Sequence, residues 1–343
     1  MLFGHGDDFY DIAQHIKINY SSNVWYGAEL TPLKNHLYQT FEQISRYPEP
    51  DAASLRQTLA EAHGISPDNL LVTNGSITAF YLIAEAWQGA KSTILIPSFA
   101  EYEDACRLHR HQMSFYPNRQ PLEELSLQGE NLCWICNPNN PDGSVIGRER
   151  LLHFIQENPQ TLFVIDQVYA DFYPEKLLEL KDIYAFPNII LIQSISKLHK
   201  IPGIRIGYIA APSDIIQRIK PHLIPWSVNA WAIEIGKYTL THPEQFVLPL
   251  QQWLDETCHL QKAIREAGIY VLPSSVTFFL NRLPKGRKAS ELKSYLIREA
   301  GILIRDASNF RGLDESYFRL STQKPEENRL LLKHLKKYLS RQG

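Results

Sequence analysis

The chain has 343 residues with 35 basic against 37 acidic side chains, long enough for one large domain and a smaller companion, and without a global field for nucleic acid or anionic membrane. Small molecules are the expected partners. The start, MLFGHGDDFYD, has acids and a histidine where a signal peptide needs a basic end and an apolar run, and no stretch approaches the ~18 apolar residues of a membrane span, so a soluble, cytoplasmic protein is expected.

Residues 1–30 read as an arm that packs elsewhere, 31–240 as a large domain and 241–343 as a small α+β domain. In the large part, short apolar runs alternate with longer helical patterns, the signature of parallel strands joined by crossover helices and so of an α/β layer architecture. The expected strands are 93–96, 132–136, 162–165, 189–193 and 206–210. Ile77, Phe80, Tyr81 and Ala84 share one face of a helix that Gly89 can end. Of the four cysteines (Cys106, Cys133, Cys136, Cys258), Cys133 and Cys136 form one CxxC inside LCWIC. No second pair follows, so this is read as core packing in a buried strand; neither a metal site nor a disulfide framework is expected. After Thr241 come an amphipathic helix, short strands at 270–272, 277–280 and 317–320, and a last helix opening at Pro325-Glu326-Glu327 and running through Leu331, Leu335 and Tyr338.

In an open parallel sheet, ligands sit beyond the carboxyl ends of the strands, and the informative residues cluster there. LFVI leads into DQVY, so Asp166 and Tyr169 stand three residues apart at a strand end, where a carboxylate can hold a proton on a pyridine nitrogen. LCWIC leads into NPNNPDG, whose Asn140 can donate to a phenolic oxygen. LVT leads into NGSITAF, a small-residue loop entering a helix, where the backbone N–H groups of Gly75, Ser76 and Ile77 suit a phosphate. NIILIQ leads into SISKLHKIPGIRIGY. Desolvated after a buried strand, Lys197 gains the character of a nucleophilic amine able to form a Schiff base with an aldehyde. Ser194, Ser196 and Arg205 supply hydroxyls and a bidentate cation for a phosphate monoester. An aldehyde, a pyridine nitrogen, a phenol and a phosphate together specify pyridoxal 5′-phosphate.

The order N-G-S, P-S-F-A-E-Y, N-P-N-N-P-D-G, D-Q-V-Y, S-x-S-K and G-I-R-I-G-Y resembles the fold-type I pyridoxal-phosphate enzymes of the class I/II aminotransferase superfamily, over nearly the whole chain. The resemblance implies a mostly parallel seven-stranded-type sheet between helices. Lys197 would join the cofactor and later shuttle a proton, Asp166 would pair with the ring nitrogen, and Asn140 and Tyr169 with the ring hydroxyl. Gly75, Ser76, Ser194, Ser196 and Arg205 would hold the phosphate. Phe99 would stack on the ring, with Tyr102 the alternative. Tyr47, in RYPEPD, would reach the cofactor of a neighbouring subunit, implying a homodimer with shared sites.

Arg319, in FRLS, falls where the superfamily holds a substrate's α-carboxylate. LFGHGDD, YSSN, IPWSVNAWA and GILIRDASNFRGLDESYFR are similar to the L-threonine-O-3-phosphate decarboxylases of the cobalamin pathway. By that likeness His5, Asn23 and Arg305 would gather round a substrate phosphate, making the substrate a small phosphorylated amino acid. The rival within the superfamily is the histidinol-phosphate aminotransferase group; a non-catalytic binding protein on the same fold would be expected to lose Lys197 or Asp166. The chain departs from the usual pattern at HGDD, which puts acids where HGGN is common, and at NPDG for NPTG, DQVY for DEA plus an aromatic, and GSIT for GETE.

Overall fold

The computed structural model describes residues 6–8, 10, 12, 15–129 and 131–340. In chain order the strands are β1 (Ile18–Asn19), β2 (Leu70–Thr73), β3 (Lys91–Ile96), β4 (Gln112–Pro117), β5 (Leu132–Cys136), β6 (Leu162–Asp166), β7 (Ile189–Gln193), β8 (Gly207–Ala210), β9 (Tyr270–Val271), β10 (Phe278–Arg282), β11 (Ile302–Leu303), β12 (Arg305–Asp306) and β13 (Tyr317–Ser321). The helices are α1 (Thr31–Gln39), α2 (Ala53–His63), α3 (Ser76–Ala86), α4 (Glu101–Leu108), α5 (Arg148–Glu157), α6 (Ser213–Ile219), α7 (Ala230–Thr241), α8 (Leu250–Glu266), α9 (Ala289–Ala300) and α10 (Pro325–Ser340).

Seven strands form the main sheet in the order β2-β8-β7-β6-β5-β3-β4. Alternation splits their side chains between two cores. Cys133, Ile135, Phe163, Ile165, Ile189 and Leu191 meet α2, α5 and α7 on one face. Leu132, Trp134, Val164, Ile190 and Ile192 meet α3, α4 and α6 on the other. Burial on both faces explains why these runs are continuously apolar. All five expected strands are present, with one correction: β8 runs antiparallel to both β2 and β7. Sequence reading assumed it parallel because an apolar run has no visible direction. The edge strand β4, QMSFYP, and β2 complete the sheet.

A four-stranded sheet, β12-β13-β10-β9, lies in the C-terminal part. It packs on α8, α9 and α10 through Leu260, Ile264, Leu292, Leu296, Leu331 and Leu335. The amino-terminal arm joins this part. Its β1 pairs in parallel with β11, Ile18 against Ile302, and Tyr20 is fully buried in the same core with its hydroxyl donating to Asn328 Oδ1 at 3.0 Å. No helix among the described residues is long and apolar enough to cross a membrane.

Candidate active site

The carboxyl ends of β5, β6 and β7 and the loop after β2 open into one cavity, closed from the other side by the arm and β13. Gly75, Ser76, Ile77, Phe99, Asn140, Asp166, Tyr169, Ser194, Ser196, Lys197 and Arg205 line it, as do Asn23 and Arg319. Most of the residues singled out from sequence therefore share one cavity. His5 lies outside the described residues.

Asp166 ends β6, buried, with its Oδ1 accepting the Val168 N–H at 3.0 Å and its Oδ2 accepting the Tyr102 hydroxyl. Burial raises its carboxyl to about 6 from 3.8, against the opposing pull of those hydrogen bonds and of Lys197. Lys197 stands four residues past β7, its Nζ 5.9 Å from the centre of the Tyr169 ring. Desolvation, then the cationic neighbours Arg205 and Arg319, lower its amine to about 8, while Asp166 and Asp7 act in the opposite sense. Tyr169 sits buried against Phe278, ring centres 4.8 Å apart, and burial pushes its phenol up to about 12. Both polar atoms of the Asn23 amide are buried beside it without a well-formed hydrogen bond.

At the other end of the cavity the loop after β2 turns through Gly75 (φ +82°) into α3, so the first N–H groups of the helix face inward. Arg205 (φ +62°) lays its guanidinium against this turn. A Cβ on Gly75 would lie 2.5 Å from its Nη2, and one on Gly207 would lie 2.6 Å from Ser76 N. Ser194 Oγ and Ser196 Oγ are 2.7 Å apart beside them. Backbone donors, two hydroxyls and a guanidinium thus converge on a space that two glycines keep open, which is what a phosphate monoester requires.

The third wall is cationic. Arg319 on β13 is buried, donating to Asn140 Oδ1 and to Ser21 O, with its Nε lacking a partner among the described residues. Because Asn140 Oδ1 is taken by a guanidinium, its amide nitrogen is left to face other acceptors. Arg305 does not line the cavity directly; it is the cross-strand partner of Arg319 in the β12–β13 ladder and donates to Asn309 Oδ1 at 2.7 Å. Burial lowers both guanidinium groups to about 10, and in Arg305 the charge of Arg319 adds to the effect. Two adjacent buried cations favour an anionic guest.

One sequence alternative needs correction. Tyr102 does not line the cavity: on the first turn of α4 its ring turns inward to pack on Phe80 and Trp134, and its hydroxyl reaches Asp166 from behind. Phe99, three residues earlier, is the aromatic at the cavity. Tyr47, assigned by resemblance to a neighbouring subunit's cofactor, is 87% exposed and touches Trp226, outside its own chain's cavity. Sequence reading passed over Gly6, Asp7, Ser21, Ser22, Cys136, Val168 and Pro202, which also line it. Val168 stands in the turn just past the end of β6, next to Tyr169, and its place beyond a strand end is the signal that could have revealed it.

The donor set fits pyridoxal 5′-phosphate, with a phosphate cradle at Gly75 and Arg205, a buried carboxylate at Asp166 and a desolvated amine at Lys197 lining the same cavity.

A family model described as aminotransferase class I and II matches residues 15–335. The solved structure of L-threonine-O-3-phosphate decarboxylase from Porphyromonas gingivalis is 45% identical, covers 95% of this chain and 100% of its own, and superposes with a TM-score of 0.93. Threonine-phosphate decarboxylase of Salmonella typhimurium is 27% identical over 98% of this chain and 96% of its own length. Histidinol-phosphate aminotransferase of Symbiobacterium thermophilum is 28% identical, over 86% of this chain and 82% of its own.

Proposed function

This chain belongs to the class I and II aminotransferase family, and we propose that within it the chain decarboxylates L-threonine O-3-phosphate to an aminopropanol phosphate. Its α/β fold is that of the fold-type I transferases, and its cofactor is pyridoxal 5′-phosphate.

The observation that carries the substrate reading is the pair Arg305 and Arg319, buried cross-strand neighbours whose like charges call for two anionic groups on one small molecule. A phosphorylated amino acid has both. Its carboxylate would meet Arg319, and its phosphate would draw the Arg305 side chain from behind that wall toward the cavity, with the Asn23 amide beside them and His5 as a further donor. The 45% identity to the Porphyromonas gingivalis decarboxylase favours the same substrate.

When bound, pyridoxal 5′-phosphate supplies an electron-accepting ring that stabilises the charge left at Cα when one of its bonds breaks. Asp166 would hold the proton at the ring nitrogen, and Asn140 and Tyr169 the ring hydroxyl. Gly75, Ser76, Ile77, Ser194, Ser196 and Arg205 would anchor the phosphate, and Phe99 would cover one face of the ring. Arg305 and Arg319 would orient the substrate so that its carboxylate is the group that leaves, as carbon dioxide, and the Lys197 amine would return a proton to Cα. Positioning of this kind is worth ~7 kcal/mol or more.

The test is a side-by-side assay. Release of carbon dioxide from L-threonine O-3-phosphate supports the reading; exchange of amino groups between histidinol phosphate and 2-oxoglutarate, without carbon dioxide, overturns it in favour of the aminotransferase relatives. Arg305→Ala is expected to lower kcat/KM for the phosphorylated substrate by roughly 10- to 100-fold and to leave an unphosphorylated analogue nearly untouched, since one charge-assisted contact is lost. Steady-state kinetics on both compounds check this. Gly75→Ala is expected to weaken pyridoxal phosphate binding by roughly 10- to 100-fold, because its Cβ displaces the Arg205 guanidinium, the far end of a flexible side chain, and the fold survives. Titration of cofactor-free protein checks it.

A homodimer with shared sites belongs to the same reading. Leu30, Leu33, Leu37, Tyr38, Phe41 and Trp231 line an apolar groove, and Tyr47 and Trp226 stand exposed. A second copy covering these residues would carry Tyr47 to its neighbour's cofactor.

A further inference from the structure

We propose that Asp142 and Arg119 form a clasp that positions both the Asn140 wall and the Phe99 wall of the cavity. The inference rests on the assignment of those two residues to the cofactor. Asp142 is the residue that turns NPTG into NPDG, and its side chain is completely buried. A buried carboxylate is costly unless paired and fully hydrogen-bonded, so its partners define its role.

Those partners come from separate segments. Arg119, just beyond β4, donates to Asp142 Oδ2 from Nε at 3.1 Å and from Nη2 at 2.9 Å, and Asn118 Nδ2 approaches the same oxygen at 3.4 Å. Asp142 Oδ1 accepts from Asn139 Nδ2 at 2.7 Å, Ser144 N at 3.1 Å and Ser144 Oγ at 2.8 Å. The same Asn139 Nδ2 donates to Pro97 O at 3.0 Å, two residues before Phe99. One carboxylate thus joins the loop after β3, the loop after β4 and the turn that holds Asn140. A threonine hydroxyl has one proton and two lone pairs and cannot serve so many donors. The guanidinium keeps one side in water, at 41% exposure, and so neutralises the buried charge while staying hydrated.

The consequence falls on Asn140. Its Oδ1 is held by Arg319, so the turn geometry decides where its amide nitrogen points. With Arg119 gone, the Asp142 charge stays buried and unpaired, the turn rearranges, and Asn140 no longer donates squarely to the ring hydroxyl. Loss of a donor to the ionised hydroxyl raises the pH at which that group titrates.

Cofactor-free wild type, Arg119→Met, Arg119→Lys and Asp142→Asn are titrated with pyridoxal 5′-phosphate, and the absorption of each loaded protein is followed against pH. Arg119→Met is expected to bind about tenfold more weakly and to show a raised spectral midpoint, Arg119→Lys to restore most of both, and Asp142→Asn to resemble Arg119→Met. Variants that melt earlier but match the wild type in affinity and midpoint overturn the clasp and leave the cofactor assignment standing. Wild type that takes up no cofactor overturns both. If Arg119→Met does not fold, Arg119→Gln carries the same comparison.

Discussion

Lys197→Met is expected to lower turnover by roughly 10⁴-fold or more while making the cofactor-free protein harder to unfold. The first effect follows from the amine at the end of β7, the only one lining the cavity among the described residues: without it none of those side chains would hold the cofactor's aldehyde or return a proton to Cα. The second follows from the amine's lowered pKa, about 8 against 10.5. A lysine that is depressed on folding binds its proton less readily in the native state than in the unfolded chain. Between these two values the unfolded chain carries a proton that the native one lacks, so stability rises with pH across that window and the full penalty is present at pH 7. Methionine keeps the volume and removes the charge. Part of the gain is returned, because Lys197 also attracts Asp166, whose carboxyl then rises further. A net gain on the order of 1–2 kcal/mol, a few degrees in Tm, is expected at pH 7. Borohydride treatment should fix pyridoxal phosphate to the wild type at Lys197 and leave the variant unlabelled by mass spectrometry. A variant that keeps a tenth of wild-type activity, or labels equally, removes Lys197 from the centre of the chemistry.

The separation of function from stability at Lys197 also explains what could be seen in the sequence. Buried strands such as β5, β6 and β7 are apolar on both faces, so their ends, and the polar residues just beyond, stand out. Asp166, Asn140, Lys197 and Arg205 are legible for that reason. The direction of β8 was not, because Ile206 to Ala210 reads alike either way and only pairing with β2 and β7 decides it. Resemblance ranked Phe99 ahead of Tyr102, but the physical reason, that α4 begins between them and Tyr102 turns inward, lies in the fold. The adjacency of Arg305 and Arg319 depends on the register of β12 against β13, a property of the ladder rather than of either segment. NPDG was visible as a departure, but its partner Arg119 lies 23 positions away and is joined only by the fold.

Asp166→Asn tests the electrostatic half of the site. In the cofactor-free protein the Asp166 carboxyl is raised to about 6 from 3.8 by burial. An acid raised on folding keeps a proton that the unfolded chain has released, so stability falls as pH rises from 3.8 to about 6, a loss of about 3 kcal/mol at most that is complete at neutral pH. Asparagine has no such titration. Urea melts of the two cofactor-free proteins at pH 4.5 and pH 7 should therefore converge at the lower value and separate at the higher, with the variant more stable. Loaded with cofactor the order of merit reverses. A protonated ring nitrogen restores to the carboxylate the charge partner that burial denies it, so the wild type gains more from pyridoxal phosphate than the variant does. The amide carries no charge to favour a protonated ring nitrogen, which would leave the ring a poorer acceptor of electrons, and kcat should fall by roughly 10²- to 10³-fold. Equal pH slopes in the two cofactor-free proteins, or a kcat within tenfold of wild type, would place the ring nitrogen's partner elsewhere. Tyr102, whose hydroxyl donates to the second carboxylate oxygen, does not line the cavity and cannot take over the role, so the loss should persist across the pH range in which the wild type works.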